Sequence, residues 1–314
     1  MSHGLDEAAG KIPAELKRRL DRLESTVAGD ARYGHTRDVL VTHRGEPVLA
    51  LDRGRGTGED LVDTYSITKS VVATLVGIAL DDGAIRSLDE PVSGFLEGVR
   101  HRYTVRHLLT MTAGTETGGE WDIDAVMARA SGWVDWILAA PARREPGETF
   151  AYDNGSTHVL GAAVAAAVGM PLSELAADHL FEPLEIETFE WPRDPDGRCY
   201  GFGHLRLRPR DLAKLGELYL ADGAFRGRRV VSRSFVEAAT QPSTAGGPPE
   251  ASAYGLLWWV GAEPRRHFFA AGYAGQSLTV ISDLELVAVT IGDEQSLRPG
   301  WRNARHAVRD AFGR

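Results

Sequence analysis

The chain of 314 residues is 43% hydrophobic and 25% charged, enough apolar material for a substantial core and too much for a disordered tail or a small stapled scaffold. Its 35 basic against 44 acidic residues leave a net charge of -9, which repels a phosphate backbone at long range, so nucleic acid is not an expected partner. The one cysteine, Cys199, cannot form an intrachain disulfide and carries no mark of an oxidising compartment.

The N-terminal "MSHGLDEAAGKIPAELKRRL" has no apolar segment behind a basic start, so a secretory signal is not expected. The longest apolar runs, "VVATLVGIAL" and "GAAVAAAVGM", are about half the length of a membrane span, and the protein is expected to be soluble and cytoplasmic with no membrane partner. Ile12, Leu16, Leu20 and Leu23 recur at spacings of three and four, which predicts an amphipathic helix over 12 to 28. "DVLVTHRGEPVLALD" reads as a β-hairpin about Arg44-Gly45. The glycines of "DRGRGTGED" meet neither the Walker spacing nor the dinucleotide fingerprint and read as a flexible connection.

From residue 66 to about 190 the pattern is helical: "SVVATLVGIALDDG" ending at Gly83, then "TVRHLLTM", "WVDWILAAP", "THVLGAAVAAAVG" and "LSELAADHLF". After one more helix in "RPRDLAKLGELYLADG", strand signals return in "YGLLWWVG", "RHFFAAGYAGQ", "SLTVISD" and "ELVAVTIGD", before a closing helix in "WRNARHAVRDAF". Strands at both ends with helices between predict one antiparallel sheet assembled from the two termini and carrying a helical insertion, an α+β class. The expected division is 1 to 80 with 195 to 314 for the sheet domain, and 81 to 194 for the helical subdomain.

The chemistry begins at "DTYSITKSVVATLVGIAL". Ser66 sits where a helix N-cap is expected, so its hydroxyl either caps the first turn or is a nucleophile with Lys69 on the same helix face three residues on. An exposed lysine has a pKa near 10.4, which leaves fewer than about one molecule in a thousand with a neutral amine at pH 7. Lys69 as a base therefore requires burial, and the apolar run after it predicts partial desolvation. Tyr152 and Asn154 follow a Pro-Gly turn in "REPGETFAYDNGSTHVLG"; alone, Asn154 is also a plausible helix cap.

Taken together, "SITK", "YDN", "RHLLTMTAG", "EPGETFAYDN", "RPRDLAKLG" and "AAGYAGQ" resemble the serine β-lactamase and penicillin-binding-protein superfamily, most closely its class C-like esterase and amide-hydrolase branch, from about residue 38 to the C-terminus. The resemblance implies a β-lactamase/transpeptidase-like fold: an antiparallel sheet flanked by helices beside an all-helical subdomain. It further implies Ser66 as nucleophile, Lys69 as the partner that helps deprotonate it, Tyr152 as proton relay to the leaving group, and Asn154 as a contact for the acyl part. The backbone N–H groups of Ser66 and Tyr273 would receive the oxyanion.

Where the family usually carries Lys-Thr-Gly or His-x-Gly, this chain has Ala270-Ala271-Gly272. Gly272 still permits close approach, but the cation that would hold a β-lactam carboxylate is missing. His267 falls on the opposite sheet face from residue 270 and reads as structural or surface. His101, His107 and the "DID" at 122 to 124 lack ligand spacing, so neither a metal nor any cofactor is expected. Cys199 reads as a buried free thiol. Trp121, Trp133, Trp136, Trp258 and Trp259 read as core, with Trp258 or Trp259 equally able to line an apolar acyl pocket. The leading expectation is a serine hydrolase that cleaves a small ester or amide through a Ser66 acyl-enzyme. The alternative is an acyltransferase passing the acyl group to an amine or alcohol, with β-lactamase activity or a silent binding protein behind both.

Overall fold

The structure, a computed structural model, describes residues 12–53, 60–262 and 265–313. The connection expected at "DRGRGTGED" falls mostly on 54–59, outside the described residues. In chain order the elements are α1 (Ala14–Gly29), β1 (Thr36–His43), β2 (Glu46–Asp52), β3 (Val62–Asp63), a 3-10 turn (Tyr65–Ile67) and α2 (Thr68–Asp81). The helices α3 (Val105–Leu109), α4 (Ile123–Met127), α5 (Trp133–Leu138), α6 (Asn154–Val168) and α7 (Leu172–Ala176) follow. Then come β4 (Arg206–Leu207), α8 (Pro209–Leu220), β5 (Ala224–Phe225), β6 (Arg228–Arg229) and α9 (Arg233–Ala239). The chain ends with β7 (Thr244–Gly247), β8 (Ser252–Tyr254), β9 (Trp259–Gly261), β10 (His267–Ala271), β11 (Ser277–Ile281), β12 (Leu286–Gly292) and α10 (Arg305–Phe312). Among the described residues no single helix is long and apolar enough to cross a membrane.

Two compact units emerge. The first gathers the described residues up to Ile67, Arg206–Ala221 and those from Gly261 onward. Its sheet is antiparallel in the order β2, β1, β12, β11, β10, so the two ends of the chain lie side by side as the strand pattern predicts. The β1–β2 hairpin turns on Arg44 and Gly45, both in the left-handed region at φ 54° and 80°, which is the two-residue geometry that matches the twist of the flanking strands. Leu16, Leu20 and Leu23 of α1 join Val39, Val41, Leu286, Ala288, Val308 and Phe312 in one core, so α1 and α10 cover one face of the sheet. Val287 and Leu278 meet Gly216 of α8 on the other. Covered on both faces, β10, β11 and β12 are buried along their whole length, which is why they read as continuous apolar runs.

The second unit comprises Thr68–Leu205 and Asp222–Val260. Its central helix is α2, buried on every side from Thr68 to Ala79. "YGLLWWVG" is not one strand: β8 stops at Tyr254, Leu257 turns back at φ 56°, and Trp259 pairs with Tyr254. The turn is itself buried, with Leu257 N–H donating to Leu109 O at 2.9 Å, so it carries leucines and Trp258 instead of the usual polar turn residues.

Candidate active site

Ser66 lies inside the 3-10 turn Tyr65–Ile67, closed by Ile67 N–H donating to Thr64 O at 3.1 Å, and α2 starts two residues later at Thr68. The expected N-cap position is thus displaced by an extra tight turn. Tyr65, immediately before the serine, sits at φ 46°, a left-handed conformation that costs a non-glycine residue on the order of 1 kcal/mol. Three contacts help to hold it there. Its N–H donates to Asp63 Oδ1 at 2.7 Å, its phenol donates to the Glu294 carboxylate, and its ring meets Tyr273 edge-on at 5.6 Å.

Gly272 closes the same region. A Cβ there would lie 2.6 Å from Thr64 O and 3.1 Å from Tyr65 Cβ, so only glycine lets the end of β10 reach the backbone before Ser66. Gly272 N–H donates to Gln276 O at 2.9 Å, and the Gln276 amide exchanges two hydrogen bonds with the backbone of Gly292 (2.8 and 3.1 Å). The short loop between β10 and β11 is therefore pinned at both ends, while the Tyr273 side chain stands 58% exposed.

In the second unit Lys69 is 1% exposed, for the simple reason that it occupies the first turn of a helix with no solvent face. Its Nζ lies 2.5 Å from Phe202 O and 5.0 Å from the centre of the Tyr152 ring. Burial lowers its pKa to about 7, with the nearby Asp153 charge opposing the shift. A neutral amine is then accessible at pH 7, as it is not for an exposed lysine. Tyr152 is half-buried and stacks on Trp259, ring centres 5.9 Å apart. Trp258 is fully buried beside it in the chain.

Asn154 is the first residue of α6 and half-buried, and the N-cap is Asp153. Asp153 was not singled out by the residue pattern, although a carboxylate between Tyr152 and a helix start is a visible signal. It is fully buried, its carboxylate accepting from the Ser156 hydroxyl; burial raises its pKa, against the lowering effect of that hydroxyl, backbone N–H groups and Lys69. The Phe202 carbonyl had no sequence signal, since any residue supplies a carbonyl.

The other candidates are structural. His267 is buried, its Nδ1 bonded to Arg265 O at 2.7 Å. His101 bonds Ala140 O at 2.7 Å, and His107 closes a capping box with Thr104 at the start of α3. Cys199 is a buried free thiol whose pKa burial raises.

The family model described as Beta-lactamase matches residues 23–311. A 6-aminohexanoate-dimer hydrolase of Paenarthrobacter ureafaciens is 28% identical over 297 residues, covering 85% of this chain and 75% of that protein. Among solved structures, the octameric penicillin-binding protein homologue from Pyrococcus abyssi superposes with a TM-score of 0.74 at 21% identity, covering 94% of this chain and 77% of its own. EstCE1, described as a hydrolase with promiscuous acyltransferase activity, superposes at 0.75 with 16% identity, covering 96% of this chain and 99% of its own.

Proposed function

The chain belongs to the beta-lactamase family, an enzyme family of serine hydrolases, and on that premise we propose that it cleaves a small ester or amide through an acyl-enzyme on Ser66. The observation that carries the reading is Lys69: a buried amine beside a tyrosine, with its pKa brought to about 7, is the state a general base needs at neutral pH.

In this reading neutral Lys69 takes the Ser66 hydroxyl proton as Oγ bonds to the carbonyl carbon. The backbone N–H groups of Ser66 and Tyr273 receive the oxyanion of the tetrahedral intermediate. Tyr152 protonates the departing alcohol or amine as the C–O or C–N bond breaks, and the Lys69 ammonium returns its proton to the phenolate. Water then repeats the sequence on the acyl-enzyme and releases the acid. Asn154 contacts the acyl part, Trp259 bounds it, and Gly272 keeps the backbone before Ser66 in place. Ala270-Ala271 supply no cation to a substrate carboxylate, which supports a neutral substrate over a β-lactam. The name of the Paenarthrobacter relative supports an amide.

The test is acylation by an activated ester followed by intact-mass measurement. One acyl group should appear and be absent in Ser66→Ala; equal labelling of that variant sinks the proposal. The description of EstCE1 favours one second reading, transfer of the acyl group to an amine or alcohol. Product partition decides it: if added acceptors never divert product from the free acid, transfer is excluded for them.

A further inference from the structure

Behind Lys69 lies a buried histidine–aspartate pair that the reaction above does not use. His158 and Asp194 are both fully buried, with His158 Nε2 3.0 Å from Asp194 Oδ2. His158 is on α6, one turn after Asn154. Its other ring nitrogen, Nδ1, is 3.4 Å from the N–H of Gly201, which fixes the tautomer: Nδ1 accepts, and Nε2–H donates to the carboxylate. Asp194 Oδ1 in turn accepts from the N–H groups of Asp196 (2.9 Å) and Arg198 (2.7 Å), so one carboxylate organises the whole turn 194 to 198.

The chain from 194 to 202 is thereby strapped onto α6 at two points, His158 being common to both. Gly201 touches the helix so closely that a Cβ there would lie 2.2 Å from Thr157 O. The next residue is Phe202, whose carbonyl is 2.5 Å from Lys69 Nζ. The rings of Tyr200 and Phe202 pack around the imidazole, centres 6.5 and 5.8 Å away, with Trp133 at 5.8 Å. The imidazole and the Asp194 carboxylate are shielded from solvent, while 195–198 lie at the surface. A buried polar pair of this kind costs desolvation that an apolar pair would not, so its presence asks for a role.

We propose that His158 and Asp194 are positioning residues for the base: they hold the strap so that the Phe202 carbonyl meets the Lys69 amine and fixes both its direction and its proton affinity. This rests on the reading of Lys69 as the base. The charged and titratable groups around the pair include Asp153 and Tyr152 beside Lys69, Tyr103 beside Asp153, Asp196, Arg198, Cys199 and Tyr200 beside Asp194, and His204 against the Phe202 ring. Because those groups are untouched, a variant of His158 that moves Lys69 does so through the carbonyl. A carbonyl favours the ammonium over the neutral amine, so losing it lowers the Lys69 pKa further.

The chain has four lysines, Lys11, Lys17, Lys69 and Lys214, so lysine labelled with carbon-13 at Cε gives four resolvable NMR signals, and Lys69→Met assigns one. In the parent protein the Lys69 signal should titrate near the value of about 7 that its burial gives. In His158→Gln, which keeps a donor toward Asp194 but gives up the acceptor for Gly201 N–H, the midpoint should fall by roughly one pH unit or more, the scale of a lost charged hydrogen bond. In His158→Asn, whose Oδ1 takes the place of Nδ1, that fall should be partly reversed. The acid limb of the kcat/KM profile should follow the NMR midpoint. If His158→Gln does not fold, Asp194→Asn is titrated in its place, with the same fall expected. A Lys69 midpoint unchanged in folded variants overturns the proposal, whatever happens to the rate. Acylation of Ser66 in the parent protein is scored separately, so failure of the strap and failure of the Ser66 reading are distinguishable.

Discussion

A lysine buried to this degree leaves a thermodynamic signature that needs no substrate. In the unfolded chain Lys69 has an ordinary pKa near 10.4; in the folded protein burial lowers it to about 7. Between those values the unfolded state holds the extra proton. Stability therefore rises with pH across the window from about 7 to 10, and the destabilisation is fully present below it. At 1.36 kcal/mol per pKa unit, the burden at pH 7 is roughly 4 kcal/mol and at pH 9 roughly 2. Lys69→Met keeps most of the unbranched side chain and removes the titration. It also leaves the Phe202 carbonyl without this donor, a loss of about 1 to 3 kcal/mol that does not depend on pH. The difference in unfolding free energy between parent and variant, measured by urea denaturation at a series of pH values, should thus change by roughly 2 kcal/mol from pH 7 to 9, in favour of the parent at the higher pH. The variant should be inactive throughout. Parallel stability curves would show that Lys69 is not a desolvated amine and would remove the basis for assigning it as the base.

Tyr152→Phe keeps the stack on Trp259 and deletes the phenol, so kcat should fall by about 10² to 10⁴ with an unchanged circular dichroism spectrum; a loss under tenfold refutes the relay. Gly272→Ala drives a Cβ against Thr64 O, and the melting temperature should drop by the equivalent of about 1 to 3 kcal/mol, with activity falling as Tyr65 shifts. Gly45→Val places a β-branched residue at φ 80° in the hairpin turn, and should destabilise the fold by about 1 kcal/mol or more in urea without altering kcat, since the turn is remote in sequence from every site residue.

Much of the fold is legible because burial and periodicity write themselves into residue type. The leucines of α1, the Arg44-Gly45 turn and the apolar runs of β10, β11 and β12 each announce their element and their neighbours. The buried turn between β8 and β9 escapes, since its Leu256, Leu257 and Trp258 obey the needs of a core and not of a turn. Short elements such as α9 and the β5–β6 pair escape as well, being too brief for a period to show. Of the candidate site, Ser66, Lys69, Tyr152, Asn154 and Gly272 stand out by motif.

The amino-acid pattern by itself determines that α2 is apolar all round and that a lysine enters its first turn. Whether that lysine is a solvated cation or an amine poised near neutrality is decided only by what surrounds it in three dimensions: complete burial lowers its pKa, and the Asp153 carboxylate, the Tyr152 ring and the carbonyl of Phe202, 133 residues away in the chain, pull the other way. The reason is that a pKa belongs to an environment of distances and dielectric, which chain order does not encode, while the tendency of a side chain to be buried belongs to the residue and can be read where it stands.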